Sequence, residues 1–296
     1  MSRIKSSVWN VAAAAIVAAS FAWAYWPTLV GLVTTWNRVP DYSHGFFVVP
    51  LAILILWMRR QQFPGLSEQL AWGGLGLVAT SIVIRMLSAT YYLSAADGWS
   101  ILAWVGGTVW FLCGWRVLRW CLPSVIFLGF MVPLPFRMEH ALSRPLQYAA
   151  THISCWVLQC LGQPALAENN IILLGDLRME VEQACSGLRI FVGIIALAFV
   201  YVVLVRRAWW QRAVLLVSII PVALVANVTR IVATSLLLQR FVGANAQQLI
   251  HQYTGYVMVP YAAALFAFVL WYVGALAPRM YVADAGDVAR RQRVAV

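Results

Sequence analysis

The sequence predicts an all-α polytopic membrane protein of about eight transmembrane helices, with a short extracytoplasmic amphipathic and hairpin insertion before the sixth. Three observations carry that expectation. Of 296 residues, 62% are hydrophobic and only 10% are charged, too few polar groups to coat a soluble globule of this size. Several apolar runs reach about 18 residues with few charges, enough to cross ~30 Å of hydrocarbon as helices. The net charge of +11 would suggest nucleic acid in a soluble chain, but here the basic residues cluster between apolar runs, where they report topology, and no nucleic-acid partner is expected.

The first expected span, 11–33, follows Arg3 and Lys5. Ala22-Trp23-Ala24 imitates a signal-peptidase site, yet apolar sequence continues past it, so the span is read as uncleaved. Further runs place spans at 46–58, 72–93, 99–115, 120–135, 187–205, 213–231 and 254–276. A cytoplasmic N-terminus gathers Arg59-Arg60, Arg116, Arg119, Arg206-Arg207, Arg212 and the arginines after Pro278 on the inner side, as the positive-inside bias requires. The expected organisation is one integral-membrane domain, 1–278, and a basic cytoplasmic tail, 279–296.

The longest stretch between spans, about 136–186, then faces outward. It opens with an amphipathic piece carrying Arg137, Glu139, His140, Arg144, Gln147 and His152, suited to the membrane interface. After the breaker cluster Leu161-Gly162-Gln163-Pro164, two short apolar runs around Gly175-Asp176 predict a small hairpin.

Five cysteines (113, 121, 155, 160 and 185) form no CxxC pair and no His/Cys run at metal-ligand spacing, so neither a metal nor another cofactor is expected. Four lie in apolar stretches, where cysteine behaves as a small hydrophobe; only Cys185 has polar neighbours. Polar residues at the edge of a span are costly, and three groups stand out. Cys185 begins the sixth span from outside, Arg230 ends the seventh in Asn227-Val228-Thr229-Arg230, and His251 precedes the eighth in His251-Gln252-Tyr253-Thr254-Gly255. Topology inferred from other arginines puts all three at one depth.

The chemistry suits a thiol nucleophile. His251 can accept the thiol proton, while Arg230 or Arg189 favours the anion. An arginine cannot act as a base, which leaves Arg230 to the tetrahedral intermediate or to the substrate's carbonyl or carboxylate. Arg189 follows Cys185 by four residues and Asn227 precedes Arg230 by three, so each shares a helix face with its neighbour. The plainer readings are a small buried cysteine, an arginine snorkelling to the interface and a hydrogen-bonding histidine. His44, His140 and His152 would serve as well as His251 on chemistry alone.

Four ordered segments resemble the exosortase/archaeosortase family. Ala184-Cys185-Ser186-Gly187-Leu188-Arg189 resembles its nucleophile motif, Asn227 to Arg230 its Asn-x-x-Arg, and His251 with Gly255 its His-x-x-x-Gly. Asp41-Tyr42-Ser43-His44-Gly45-Phe46 is similar to its early signature, and the likeness runs from about 41 to 276. The resemblance implies a cysteine transpeptidase or protease of the bacterial inner membrane, with both termini cytoplasmic and its site facing the periplasm. Its implied partners are exported proteins bearing a C-terminal Pro-Glu-Pro motif, a transmembrane helix and a basic end, besides membrane lipid. Such enzymes cut near the motif through an acyl-thioester and pass the chain to water or an envelope acceptor, often alongside exopolysaccharide production. Cys185, Arg230 and His251 would be catalytic, and Arg189, Asn227, His44 and Ser186 supporting. The competing expectations are a transporter or flippase for a lipid-linked sugar, with Arg85 and Arg230 binding phosphate, and a polysaccharide acyltransferase built on histidine.

Overall fold

The computed structural model describes residues 2–66, 70–175, 177–181, 188–205, 208–241 and 244–276, with side chains from residue 17 onward except at 18, 40, 188–189, 244–248, 251–252, 256, 259 and 276. The expected tail, 279–296, lies outside the described residues. The chain is an all-α membrane protein with one small sheet. Its helices are α1 (Ser2–Arg38), α2 (Gly45–Met58), α3 (Gly73–Tyr91), α4 (Ser94–Cys113), α5 (Trp115–Phe127), α6 (Phe136–Cys160), α7 (Leu188–Leu204), α8 (Trp209–Arg240) and α9 (Ala244–Leu276).

The apolar runs fall on helices, but an expectation of about eight spans is not supported. Among the described residues, three helical segments are long and apolar enough to cross a bilayer: Gly73–Tyr91, Trp209–Arg240 and Tyr253–Ala275. A fourth is counted only if Trp115–Met131 and Phe136–Cys160 form one span, and these are bent by 82°. The shortfall is one of length. The 14 residues of α2 make ~21 Å of helix against ~30 Å of hydrocarbon, and Ile190–Leu204 is similarly short.

Helices α3 and α4 meet almost backbone to backbone. A Cβ on Gly74 would lie 2.6 Å from the Gly107 carbonyl oxygen, and one on Gly107 only 2.8 Å from the Val78 amide nitrogen. Small residues at such a crossing let dispersion and backbone contacts hold helices together where lipid supplies no hydrophobic drive. Arg85 on α3 joins this unit to α1. Its Nη1 is 3.9 Å from the Asp97 carboxylate and donates to Thr28 Oγ1 at 3.4 Å, while its guanidinium sits 4.4 Å over the Tyr25 ring. Thr28 in turn donates to Asp97 at 2.6 Å.

After α6 the chain forms three antiparallel strands in sequence order: β1 (Ala165–Glu168), β2 (Ile171–Leu174) and β3 (Leu177–Glu180). The expected hairpin is β2–β3, paired Leu174 to Leu177 and Ile171 to Glu180, with Gly175 in the connection. Gly175 has φ +57°, the left-handed conformation that short hairpin turns demand. The sequence did not reveal β1, which pairs Ala165 with Leu174 and Glu168 with Ile171. Ile172, Leu174 and Met179 turn inward onto α6 and α8 in a buried cluster with Ala150, Leu158, Ile231 and Leu238.

Candidate functional site

Each of the three expected catalytic positions lies in a segment whose ends are held by the same two buried clusters. The first combines α6, the sheet and the C-terminal part of α8; it contains Val181 and Ile231, with Ile250 packed against it. The second joins α7, α8 and α9 through Ile190, Ile194, Ala226, Met258, Ala262 and others. Along the chain, Cys185 falls between Val181 and Ile190, Arg230 between Ala226 and Ile231, and His251 between Ile250 and Met258. The described residues flanking the three positions thus belong to the same two apolar blocks.

Cys185 and Ser186 lie outside the described residues, and Arg189 and His251 are described only in their backbone, inside α7 and α9. Asn227 and Arg230 are described in full. Asn227 is 2% exposed and Arg230 half-buried one turn later on the same face, with its Nε shut off from solvent and given no hydrogen-bond partner among the described residues. A buried donor left unpaired costs roughly 1–3 kcal/mol, so an acceptor brought to this guanidinium would be bound with advantage.

Neither Arg230 nor His251 sits at a helix end, as the sequence suggested. Helix α8 continues to Arg240 because Ile231 to Leu238 is mostly apolar and holds no Gly or Pro, and α9 already begins at Ala244. The two helices run antiparallel, with Thr234 Oγ1 donating to Thr254 Oγ1 at 3.4 Å across a buried contact. Arg230 is four residues before Thr234 and His251 three before Thr254, which offsets their backbones along the helix axes by about 10 Å. The same turn of α8 reaches the sheet, where Ser235 Oγ donates to the Met179 sulfur at 3.8 Å. Thr234, Ser235 and Thr254 are polar residues of the site region that the sequence reading passed over; polarity inside an apolar helix was the available signal.

His44 stands on a separate ledge. Its Nδ1 lies 3.0 Å from the Asp41 carbonyl oxygen and its Nε2 3.1 Å from that of Phe130. Both partners are carbonyl acceptors, so which ring nitrogen donates depends on the tautomer. Around it, Trp36 Nε1 donates to the Met131 carbonyl at 2.9 Å, and a Cβ on Gly45 would strike the Trp36 indole. Tyr42 donates to Glu139 at the start of α6 at 3.1 Å. Burial, then the negative charge of Glu139, pushes the Tyr42 phenol well above its ordinary value, so it remains a donor. The turn carrying these residues packs on α7, the helix that follows Cys185. Asp41, Ser43, His44, Asn227 and Thr254 are each engaged in further interactions.

Arg85 is committed to Asp97, Thr28 and Tyr25, on helices other than the α7–α9 group. Among the described residues no group of His, Cys, Asp or Glu is placed to hold a metal ion. A family model described as transmembrane exosortase matches residues 36–270. No curated protein and no solved structure matches the chain.

Proposed function

This chain belongs to the transmembrane exosortase family, and we propose that it is a membrane-embedded cysteine transpeptidase or protease that cleaves the C-terminal sorting signals of exported proteins. The observation that carries the reading is the shared bracketing of Cys185, Arg230 and His251 by two buried clusters. Each segment is tied to the junction within a few residues, a distance the covalent chain limits to about 3.5 Å per residue.

In the proposed reaction His251 takes the thiol proton, and the Cys185 thiolate attacks the scissile carbonyl carbon. The carbonyl electron pair moves to oxygen, and the developing negative charge is opposed by Arg230, whose Nε is free for an acceptor. On collapse the C–N bond breaks and the leaving amine collects the proton from His251. The acyl-thioester then yields to an amine, a hydroxyl or water, whose proton passes to His251 as the thiolate departs. The offset of about 10 Å between Arg230 and His251 equals roughly three residues of extended peptide, room for a substrate strand between them. Asn227 holds the Arg230 side, and Arg189, Ser186 and His44 support the thiol and its rim.

We place the chain in a bacterial inner membrane with both termini cytoplasmic and the site toward the periplasm. A substrate helix with a basic inner end then arrives laterally, its Pro-Glu-Pro motif at the depth of the site. The transport reading is weaker, because Arg85 already serves Asp97 and Thr28.

The test is the membrane and secreted proteome of a strain carrying Cys185→Ala. C-terminally extended exported proteins should accumulate there, and likewise with Arg230→Ala and His251→Ala, where loss of a transition-state charge partner lowers turnover by about a hundredfold or more. Normal processing in the Cys185→Ala strain, with a lipid-linked intermediate failing to cross, would establish transport instead.

A further inference from the structure

Helix α6 exposes apolar side chains that a helix of a soluble protein would bury. Its buried face carries a polar row, Ser143, Gln147, Thr151 and Ser154 at steps of four and three, beside Ala150, Cys155 and Leu158, and the helix packs on the sheet and α8. Thr151 and Ser154 are 0% exposed, and Gln147 accepts from Asn170 Nδ2 at 3.3 Å. The opposite stripe is apolar: Met138, Leu142, Pro145, Ile153 and Trp156 are all exposed, Trp156 to 65%. Water would penalise that arrangement, whereas acyl chains favour it.

Charge sits on one edge between the stripes. At 100° per residue Arg137, Arg144 and Tyr148 share that edge, and all three are exposed. The nearest acid, Glu139, lies on the other edge and is taken by Tyr42. Among the described residues the only ion pair is Arg85 with Asp97, so neither Arg137 nor Arg144 has an acidic partner. The axis of α6 turns 82° from that of Trp115–Met131, the orientation of a helix lying across the end of a span.

We propose that α6 lies flat in one interface of the bilayer, with Met138, Leu142, Ile153 and Trp156 in the acyl chains and Arg137 and Arg144 on the phosphates of anionic phospholipids. The geometry has three sides and each meets a different medium: protein, hydrocarbon and headgroup. The helix then forms a shelf under the sheet, fixing the depth at which β1–β3 and the C-terminal part of α8 are held.

The test uses the full-length protein in vesicles of phosphatidylethanolamine and phosphatidylglycerol, with single nitroxide labels at Met138→Cys, Leu142→Cys and Ile153→Cys, the native cysteines being replaced. Relaxation by oxygen and by a water-soluble nickel complex gives each label's depth. The three labels should report one shallow depth. A steady descent from 138 to 153, ~22 Å at 1.5 Å per residue, would overturn the proposal in favour of a broken span. Lipid charge is tested separately: Arg137→Gln and Arg144→Gln should each weaken retention of phosphatidylglycerol relative to phosphatidylcholine by roughly fivefold. Unchanged retention in the double variant would overturn the headgroup assignment, whatever the labels report.

Discussion

Tyr42 illustrates how a single side chain holds the ledge beside the site. Its hydroxyl ties the turn before α2 to Glu139 of α6, and it is buried in a cluster with Trp36, Val48 and Met131. Its folded pKa is raised above the unfolded value of 10.0, so above that pH the unfolded chain sheds its proton first. The contribution is therefore complete below about pH 10 and is lost as pH rises toward the folded value. Thermal melting of the detergent-solubilised protein should show this. Tyr42→Phe should lower stability by about 1 kcal/mol at neutral pH and flatten the alkaline fall. Wild-type and variant curves running parallel through about pH 11 would contradict the assignment. Arg230 differs: its buried Nε has no hydrogen-bond partner among the described residues.

At the scale of elements, the α3–α4 pair meets almost backbone to backbone and rests on glycine. Gly107→Ala places a methyl against Val78 backbone nitrogen rather than a yielding side-chain tip, so the helices must separate. A loss of about 1–3 kcal/mol is expected, measured as denaturant resistance in mixed micelles. Wild-type resistance would show that the helices have slack there. The sequence made the helices legible wherever apolar runs were bounded by arginine pairs, as with α2 before Arg59-Arg60. It ended the seventh span at 231, short of α8, which runs on to Arg240, whereas the expected eighth span, 254–276, matches the apolar segment Tyr253–Ala275 inside the longer α9. The hairpin was readable from Gly175-Asp176, but Ala165-Leu166-Ala167-Glu168 has little strand propensity and becomes β1 only by pairing with β2. Pro145 was no break in α6, which continues through it to Cys160.

For the whole molecule, two of the buried apolar clusters and the amphipathic α6 surround what the sequence could mark only as isolated polar residues. Composition sufficed for the membrane, and motif order for the family, but depth could not be read from hydropathy alone because several apolar helices are too short to span. The proposed convergence of Cys185, Arg230 and His251 rests on packing by Val181, Ile190, Ile231 and Ile250, residues indistinguishable in sequence from any lipid-facing aliphatic. The account's central claim is that this packing brings a base and a cation to the thiol. The most direct measurement is the rate of Cys185 alkylation against pH in full-length protein whose other four cysteines are replaced. The account predicts a thiolate forming well below the ordinary ~8.5, with the midpoint moving upward in His251→Ala and Arg230→Ala. An ordinary midpoint, identical in all three proteins, would contradict it.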